Sequence, residues 1–296
     1  MFNARVLLYN QAMNSRQKTW FLLLGFFIFV IGIGYLFSYL FGSSQILYFA
    51  VIFSVLMSFI SYWYSDKIVL KMAKAKPISR ENYPEIYEIV KNLSLKAKLP
   101  LPKIYLIEEA QPNAFATGRN EKKAVVAITR GLMEKLNREE IEGVISHELS
   151  HIGNKDMLLQ TMIVVLVGFV AILSRMFLWS SFFGGRRNQN SSGILAILGL
   201  VAAILAPIAA TLIQFAISRK REFLADAAGA TLTENPEGLA SALEKIAADK
   251  TPMKTAQEAT AHLYISNPLR GQNISKLFMT HPPVEERIRA LREMRI

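Results

Sequence analysis

Residues 137–156 read NREEIEGVISHELSHIGNKD, and this stretch decides what kind of molecule the chain makes. Asn137 followed three residues later by Glu140 resembles a capping box, so a helix is predicted to start there. On that helix His147 and His151 stand four residues apart and stack over one face. Two imidazoles so placed can bind one Zn²⁺ at about 2.0–2.1 Å each. Glu148 is rotated about 100° from His147, near the metal but free to act on a water. Shuffling a chain with four histidines and 23 acidic residues would give H-[DE]-x-x-H in roughly one chain in 300. An accidental pair of histidines on a surface helix is therefore a poor account of the pattern.

Two histidines are too few, because a catalytic zinc usually has three protein ligands and keeps the fourth position for water. No third histidine follows closely, since the chain runs from Asp156 straight into the apolar segment MLLQTMIVVLVGFVAILS beginning at Met157. A carboxylate is the other option, and RKREFLADAAG at residues 219–229 supplies Glu222 and Asp226, four apart on one face of a predicted helix. An antiparallel pair of apolar helices between the two segments would return the chain to the membrane face it left. Glu222 is then the expected third ligand. Asp226 is placed to bond the far ring nitrogen of a ligand histidine and fix its tautomer. The plainer alternative makes both acids partners of Arg219 and Arg221 on a solvated turn.

Working outward, four apolar stretches reach or approach the roughly 20 residues that cross a bilayer. They lie at about residues 20–40, 46–64, 157–183 and 193–217, the last carrying Pro207, which neighbouring helices tolerate inside a membrane. Arg175 falls in the third and is expected to snorkel to the interface beside Trp179. The first is too long for a signal-peptide core and lacks a small-residue cleavage site, so it reads as a retained anchor. Composition agrees: hydrophobic residues make up 52% of the 296 and charged residues 19%, with mean hydropathy +0.26, against about a quarter charged in a soluble domain. With no cysteine, a disulfide framework, a thiolate metal site and a cysteine nucleophile are all excluded.

The net charge of +11 fits a cytoplasmic excess of Lys and Arg beside the spans; no nucleic-acid motif accompanies it. Arg5, Arg16 and Lys18 precede span one, Lys67, Lys71, Lys74, Lys76 and Arg80 follow span two, and Arg219, Lys220 and Arg221 follow span four. Only Arg186 and Arg187 count against the pattern. Both termini and the long polar segments are thus expected in the cytoplasm. Residues 1–64 form the N-terminal segment and first two spans. Residues 65–156 and 218–296 read as two parts of one split α+β domain, interrupted by the hairpin at 157–217. Helices are predicted at 83–97, 236–248 and 284–294, and strands at 103–107, 124–129 and, more weakly, 114–117.

HELSH and a distant ExxxD, set between four spans, resemble the HtpX-type membrane metallopeptidases, which share a gluzincin family with the CAAX-prenyl endopeptidases. The resemblance covers essentially the whole chain, through span order, HELSH, REFLAD, PNAFATG at 112–118 and THPP at 280–283. It implies a membrane α-helical protein of four transmembrane helices with a gluzincin-like zinc protease domain on the cytoplasmic side. It implies His147, His151 and Glu222 as ligands of one Zn²⁺ and Glu148 as the catalytic carboxylate. Asn113, Ala114, Phe115 and Ala116 would belong to an edge strand that holds substrate backbone by β-augmentation. His281, six residues before Arg287, would stabilise the oxyanion.

The implied setting is the bacterial inner membrane, in stress response and protein quality control. Misfolded or damaged membrane proteins would be the substrates, with other quality-control proteases as possible partners alongside the lipid bilayer. Three rivals fit less well. An intramembrane protease would carry HExxH inside an apolar span, whereas polar residues flank it here. A prenyl-protein endopeptidase needs an enclosed chamber for which four spans leave little room. A scaffold or transporter with structural zinc would close the metal with four protein ligands, and the spans carry almost no ionisable residue for an ion path.

Overall fold

The computed structural model describes residues 2–183, 219–269 and 282–295. The expected fourth span, Pro207, Arg186, Arg187 and His281 lie outside the described residues. Helices α1 (Phe2–Phe41) and α2 (Ser44–Met72) form a hairpin. Its tip turns on Gly42, at φ +62°, where Gly42 N–H donates to the Tyr39 carbonyl and Ser43 N–H to that of Ser38. This is a Schellman ending, which needs the left-handed conformation that glycine adopts without steric cost. Among the described residues, Gln17–Tyr39 and Ser44–Met72 are long and apolar enough to cross a membrane. α2 runs two turns beyond residue 64, where the hydropathy ends. Val69 and Leu70 in that extension are buried, so it is held by packing against the rest of the protein rather than by lipid.

Four strands follow: β1 (Lys76–Pro77), β2 (Lys103–Ile107), β3 (Ala114–Thr117) and β4 (Val125–Thr129), in the order β1-β2-β4-β3. β2 and β4 are parallel, with Ile104 opposite Val126, and β3 is antiparallel to β4, with Phe115 opposite Ala127. β3 is therefore an edge. The residues of β4 are all buried, and their alternation divides them between two cores. Val125 and Ala127, with Phe115, join the core that contains Leu22, Phe26, Val69 and Leu70 of the N-terminal hairpin. Val126 and Ile128, with Ala114 and Ala116, join a second core under α3 (Pro84–Lys96) and α5 (Arg138–Gly153). The sheet is thus the partition between a membrane-side core and a metal-side core.

The short α4 (Arg130–Lys135) leads from β4 into α5. α5 begins with the complete capping box: Asn137 Oδ1 accepts from Glu140 N–H, and Glu140 Oε2 accepts from Asn137 N–H. Glu140 also takes Ser241 Oγ at 2.6 Å and Lys245 Nζ at 2.8 Å, tying the start of α5 to α8 (Pro236–Ala248). α7 (Arg219–Thr233) packs along α5, and α9 (Val284–Arg292) closes the metal-side core.

α5 bends by 88° into α6 (Met157–Phe183). The bend is a second Schellman ending, with Asp156 N–H donating to the His151 carbonyl and Lys155, at φ +60°, to that of Ile152. The first turns of α6 differ from what hydropathy suggests. Met157 is buried in the metal-side core, and Leu159, Met162, Ile163, Val164 and Leu166 are buried with the sheet and the N-terminal hairpin, so the third apolar stretch begins inside the protein. An apolar run reads alike whether protein or lipid surrounds it.

Candidate metal centre

Position on two helices brings the expected ligands together. Glu222, Asp226 and Gly229 share one face of α7, at i, i+4 and i+7. Gly229 meets α5 so closely that a Cβ there would lie 2.9 Å from the His147 backbone nitrogen. That approach lets the two acids reach the histidines. His147 Nε2 stands 3.2 Å from His151 Nε2, 3.8 Å from one Glu222 oxygen, and His151 Nε2 stands 3.6 Å from the other. Ligands about 2.05 Å from a tetrahedral metal are about 3.3 Å apart. All three side chains are buried, and their donor atoms lie within 4.8 Å of one another, a group that can hold a metal ion.

The outer nitrogens of the two histidines are backed by carboxylates. His147 Nδ1 is 2.8 Å from Asp226 Oδ1. Arg287 of α9 grips the same carboxylate with two charge-assisted bonds, Nε to Oδ2 at 2.8 Å and Nη2 to Oδ1 at 2.6 Å, and gives Nη1 to the Ile265 carbonyl at 3.0 Å. His151 Nδ1 faces Asp156 Oδ2 at 3.7 Å, an electrostatic contact longer than a hydrogen bond. Arg221 Nη1 reaches the other Asp156 oxygen at 3.2 Å. Arg221 is buried on this ion pair and does not face solvent beside Glu222, so the solvated-turn alternative fails.

The donor set suits a divalent cation. Glu148, Glu222, Asp226 and Asp156 are buried with Arg221 and Arg287, so carboxylates outnumber guanidinium groups four to two around the histidines. Burial pushes the Glu148 carboxyl up to about 7; the neighbouring Glu222 adds to this, while His151 and a hydrogen bond from the Ala116 backbone restrain it. Burial lowers His147 to about 4, which keeps its ring neutral and its lone pair available. For His151 burial acts in the same sense, but Asp156, Glu222 and Glu148 outweigh it and raise the ring to about 9. Burial alone would raise Asp226; Arg287 and His147 hold it down at about 2, ionised.

The strand β3 is an edge, and the 264–266 segment closes part of it. The Ala114 carbonyl accepts Ile265 N–H at 2.9 Å. Asn113 Nδ2 donates to the Ser266 carbonyl at 2.8 Å, so the Asn113 side chain fastens the 264–266 segment beside the strand. Phe115 points into the membrane-side core, edge-on to Tyr264 with ring centroids 5.0 Å apart. Of the four residues read as substrate-binding, Ala116 alone turns a backbone group to Glu148. His262 is buried with Nε2 donating to the Gln160 carbonyl at 3.1 Å, a structural tie to α6.

Sequence reasoning missed Asp156 and the inward role of Arg221, and it marked Arg287 only by its spacing from His281. Asp156 carried a signal: an acid five residues past His151, at a helix junction. The Arg287–Asp226 pairing carried none, because 61 residues separate the partners.

Comparison with known proteins adds three findings. The model for Peptidase family M48 matches residues 80–295. The Protease HtpX homolog of Syntrophobacter fumaroxidans is 50% identical over 288 residues, covering 95% of this chain and all of its own length. That of Thermococcus sibiricus is 48% identical over 272 residues, covering 90% of this chain and 92% of its own. The crystal structure of S. mikatae Ste24p aligns over 97% of this chain and 67% of its own length, at 18% identity and a TM-score of 0.49.

Proposed function

This chain belongs to peptidase family M48, and from that membership we propose a membrane-anchored zinc endopeptidase that cuts cytoplasmic segments of misfolded or damaged membrane proteins. That it is a metallopeptidase follows from the family. The observation that supports the proposed chemistry is the convergence of His147 Nε2, His151 Nε2 and Glu222 beside a buried Glu148.

His147, His151 and Glu222 would hold the zinc ion, which when bound supplies Lewis acidity and water activation at neutral pH. Glu148 takes the proton of the attacking water and returns it to the leaving amine. Its carboxyl is buried beside the ligand set, where a carboxylate can exchange a proton with a water held there. Asp226 accepts the His147 Nδ1 proton, which presents Nε2 to the metal. The β3 edge at Ala116, beside Glu148, would be where substrate backbone is held. The resemblance assigns His281 to the oxyanion. The Lys and Arg residues beside the spans support an inner-membrane protein whose site and termini face the cytoplasm. Emerging segments of membrane proteins would be within its reach there, in company with other quality-control proteases.

Glu148→Gln tests the reading. The variant should retain zinc, measured by elemental analysis of the purified protein, and lose peptide hydrolysis by at least about 100-fold. A full-rate variant refutes the role of Glu148. Proteomic comparison of cells carrying wild-type and Glu148→Gln protein should show membrane proteins accumulating intact in the latter; accumulation only of soluble proteins would overturn the substrate class.

A further inference from the structure

A second cavity, of about 630 Å³, opens away from the metal centre, where the end of α2 meets the sheet. Its walls come from three places that the fold brings together: the last turns of α2, the start of β2, and the loop after β3. Five cations line it, Lys67, Lys103, Arg119, Lys122 and Lys123, against one carboxylate, Asp66. Among the described residues none of the five forms a salt bridge. Two of them lie over aromatic rings, Arg119 4.0 Å from the centroid of Trp63 and Lys67 5.2 Å from that of Tyr64.

The cavity also spans a change of solvent. Phe59 and Trp63 belong to the apolar run of α2, whereas Lys67 follows its end. Eight residues of helix from Phe59 to Lys67 rise about 12 Å. That distance takes the wall from acyl depth to the headgroup layer, with Trp63 and Tyr64 at the level where interfacial aromatics gather. Phe59, Trp63 and Tyr64 are all about half exposed, so this wall is open to lipid.

A cationic mouth above an apolar, aromatic flank matches an amphiphile with an anionic head. We propose that this cavity binds one anionic phospholipid, with its phosphate among Lys67, Lys103, Arg119 and Lys123 and its glycerol and first acyl carbons against Phe59 and Trp63. A free phosphate shares the head chemistry but would gain nothing from the apolar flank.

The test is native mass spectrometry of the full-length protein, delipidated in detergent and titrated with phosphatidylglycerol, phosphatidylcholine or inorganic phosphate. Phosphatidylglycerol should bind with one molecule retained at least about tenfold more tightly than phosphatidylcholine. The double variant Lys103→Gln/Lys123→Gln should lose about tenfold of that preference, and Lys103→Arg/Lys123→Arg should restore it. Equal retention of the two lipids, or an unchanged preference in the glutamine variant, overturns the proposal. Displacement of the lipid by equimolar inorganic phosphate also overturns it, and assigns the site to phosphate alone.

Discussion

His147 and His151 sit one turn apart on α5, yet their outer nitrogens meet different surroundings. Nδ1 of His147 meets Asp226 at 2.8 Å, and that carboxylate is clamped bidentately by Arg287. Nδ1 of His151 meets Asp156 at 3.7 Å, and Arg221 holds the acid by one longer contact of 3.2 Å. The first relay is built from α5, α7 and α9 of the metal-side core. The second is built from Asp156, just before α6, and Arg221, early in α7. One ligand is therefore fixed from within the metal-side core, and the other by residues just past the end of α5 and near the start of α7.

The comparison can be broken hardest at Arg287. Arg287→Leu leaves Asp226 buried without its cation and should destabilise the protein by about 3–5 kcal/mol, read as a large fall in the thermal midpoint of the metal-free protein. A midpoint within a degree of wild type would show that the clamp does not anchor the first relay. Gly229→Val places a side chain against the His147 backbone and should push α7 off α5, lowering zinc affinity by more than the roughly 100-fold reached by outer-sphere changes. Asp226→Asn should weaken zinc binding by about 10–100-fold in a chelator competition. Asp156→Asn should cost less, under about tenfold in the same assay, because its contact is longer. Equal losses for the two acids would erase the distinction between the relays.

The smallest effect lies at the far end of α5. Folding depresses the Glu140 carboxyl below 4.5; burial opposes this, but Lys245, Ser241 and the Asn137 backbone N–H overcome it. A depressed carboxyl adds stability above its unfolded pKa and loses it as pH falls through the folded value. Wild type should therefore lose stability below about pH 4.5 that Glu140→Gln does not lose, by about 1 kcal/mol in denaturant titrations. Parallel curves for the two proteins would remove Glu140 from the account.

Much of this was legible in the sequence because its signals are local. The capping box at Asn137, the one-turn spacing of His147 and His151, and the helix over 236–248 each depend on residues within a few positions of one another. The long reach to Glu222 was legible only through the expectation that an apolar hairpin returns the chain to its starting face. The second relay was not. Asp156 and Arg221 lie 65 residues apart, and nothing in a one-dimensional pattern distinguishes Arg221 buried on an ion pair from Arg221 in solvent. The two-residue β1, ending in Pro77, is too short to carry an alternation. A strand at 114–117 was only weakly readable, and its edge position came from the family resemblance; its occupant, the 264–266 segment, meets Asn113 through Ser266, 153 residues away.

That occupation has a consequence for solubility. An exposed strand edge is a template on which any other extended chain can stack. Here Ile265 caps the edge at Ala114, and all four residues of the strand are buried. Ile265 thus takes the acceptor that a foreign strand would use at Ala114, which removes that position as a seed for a growing sheet.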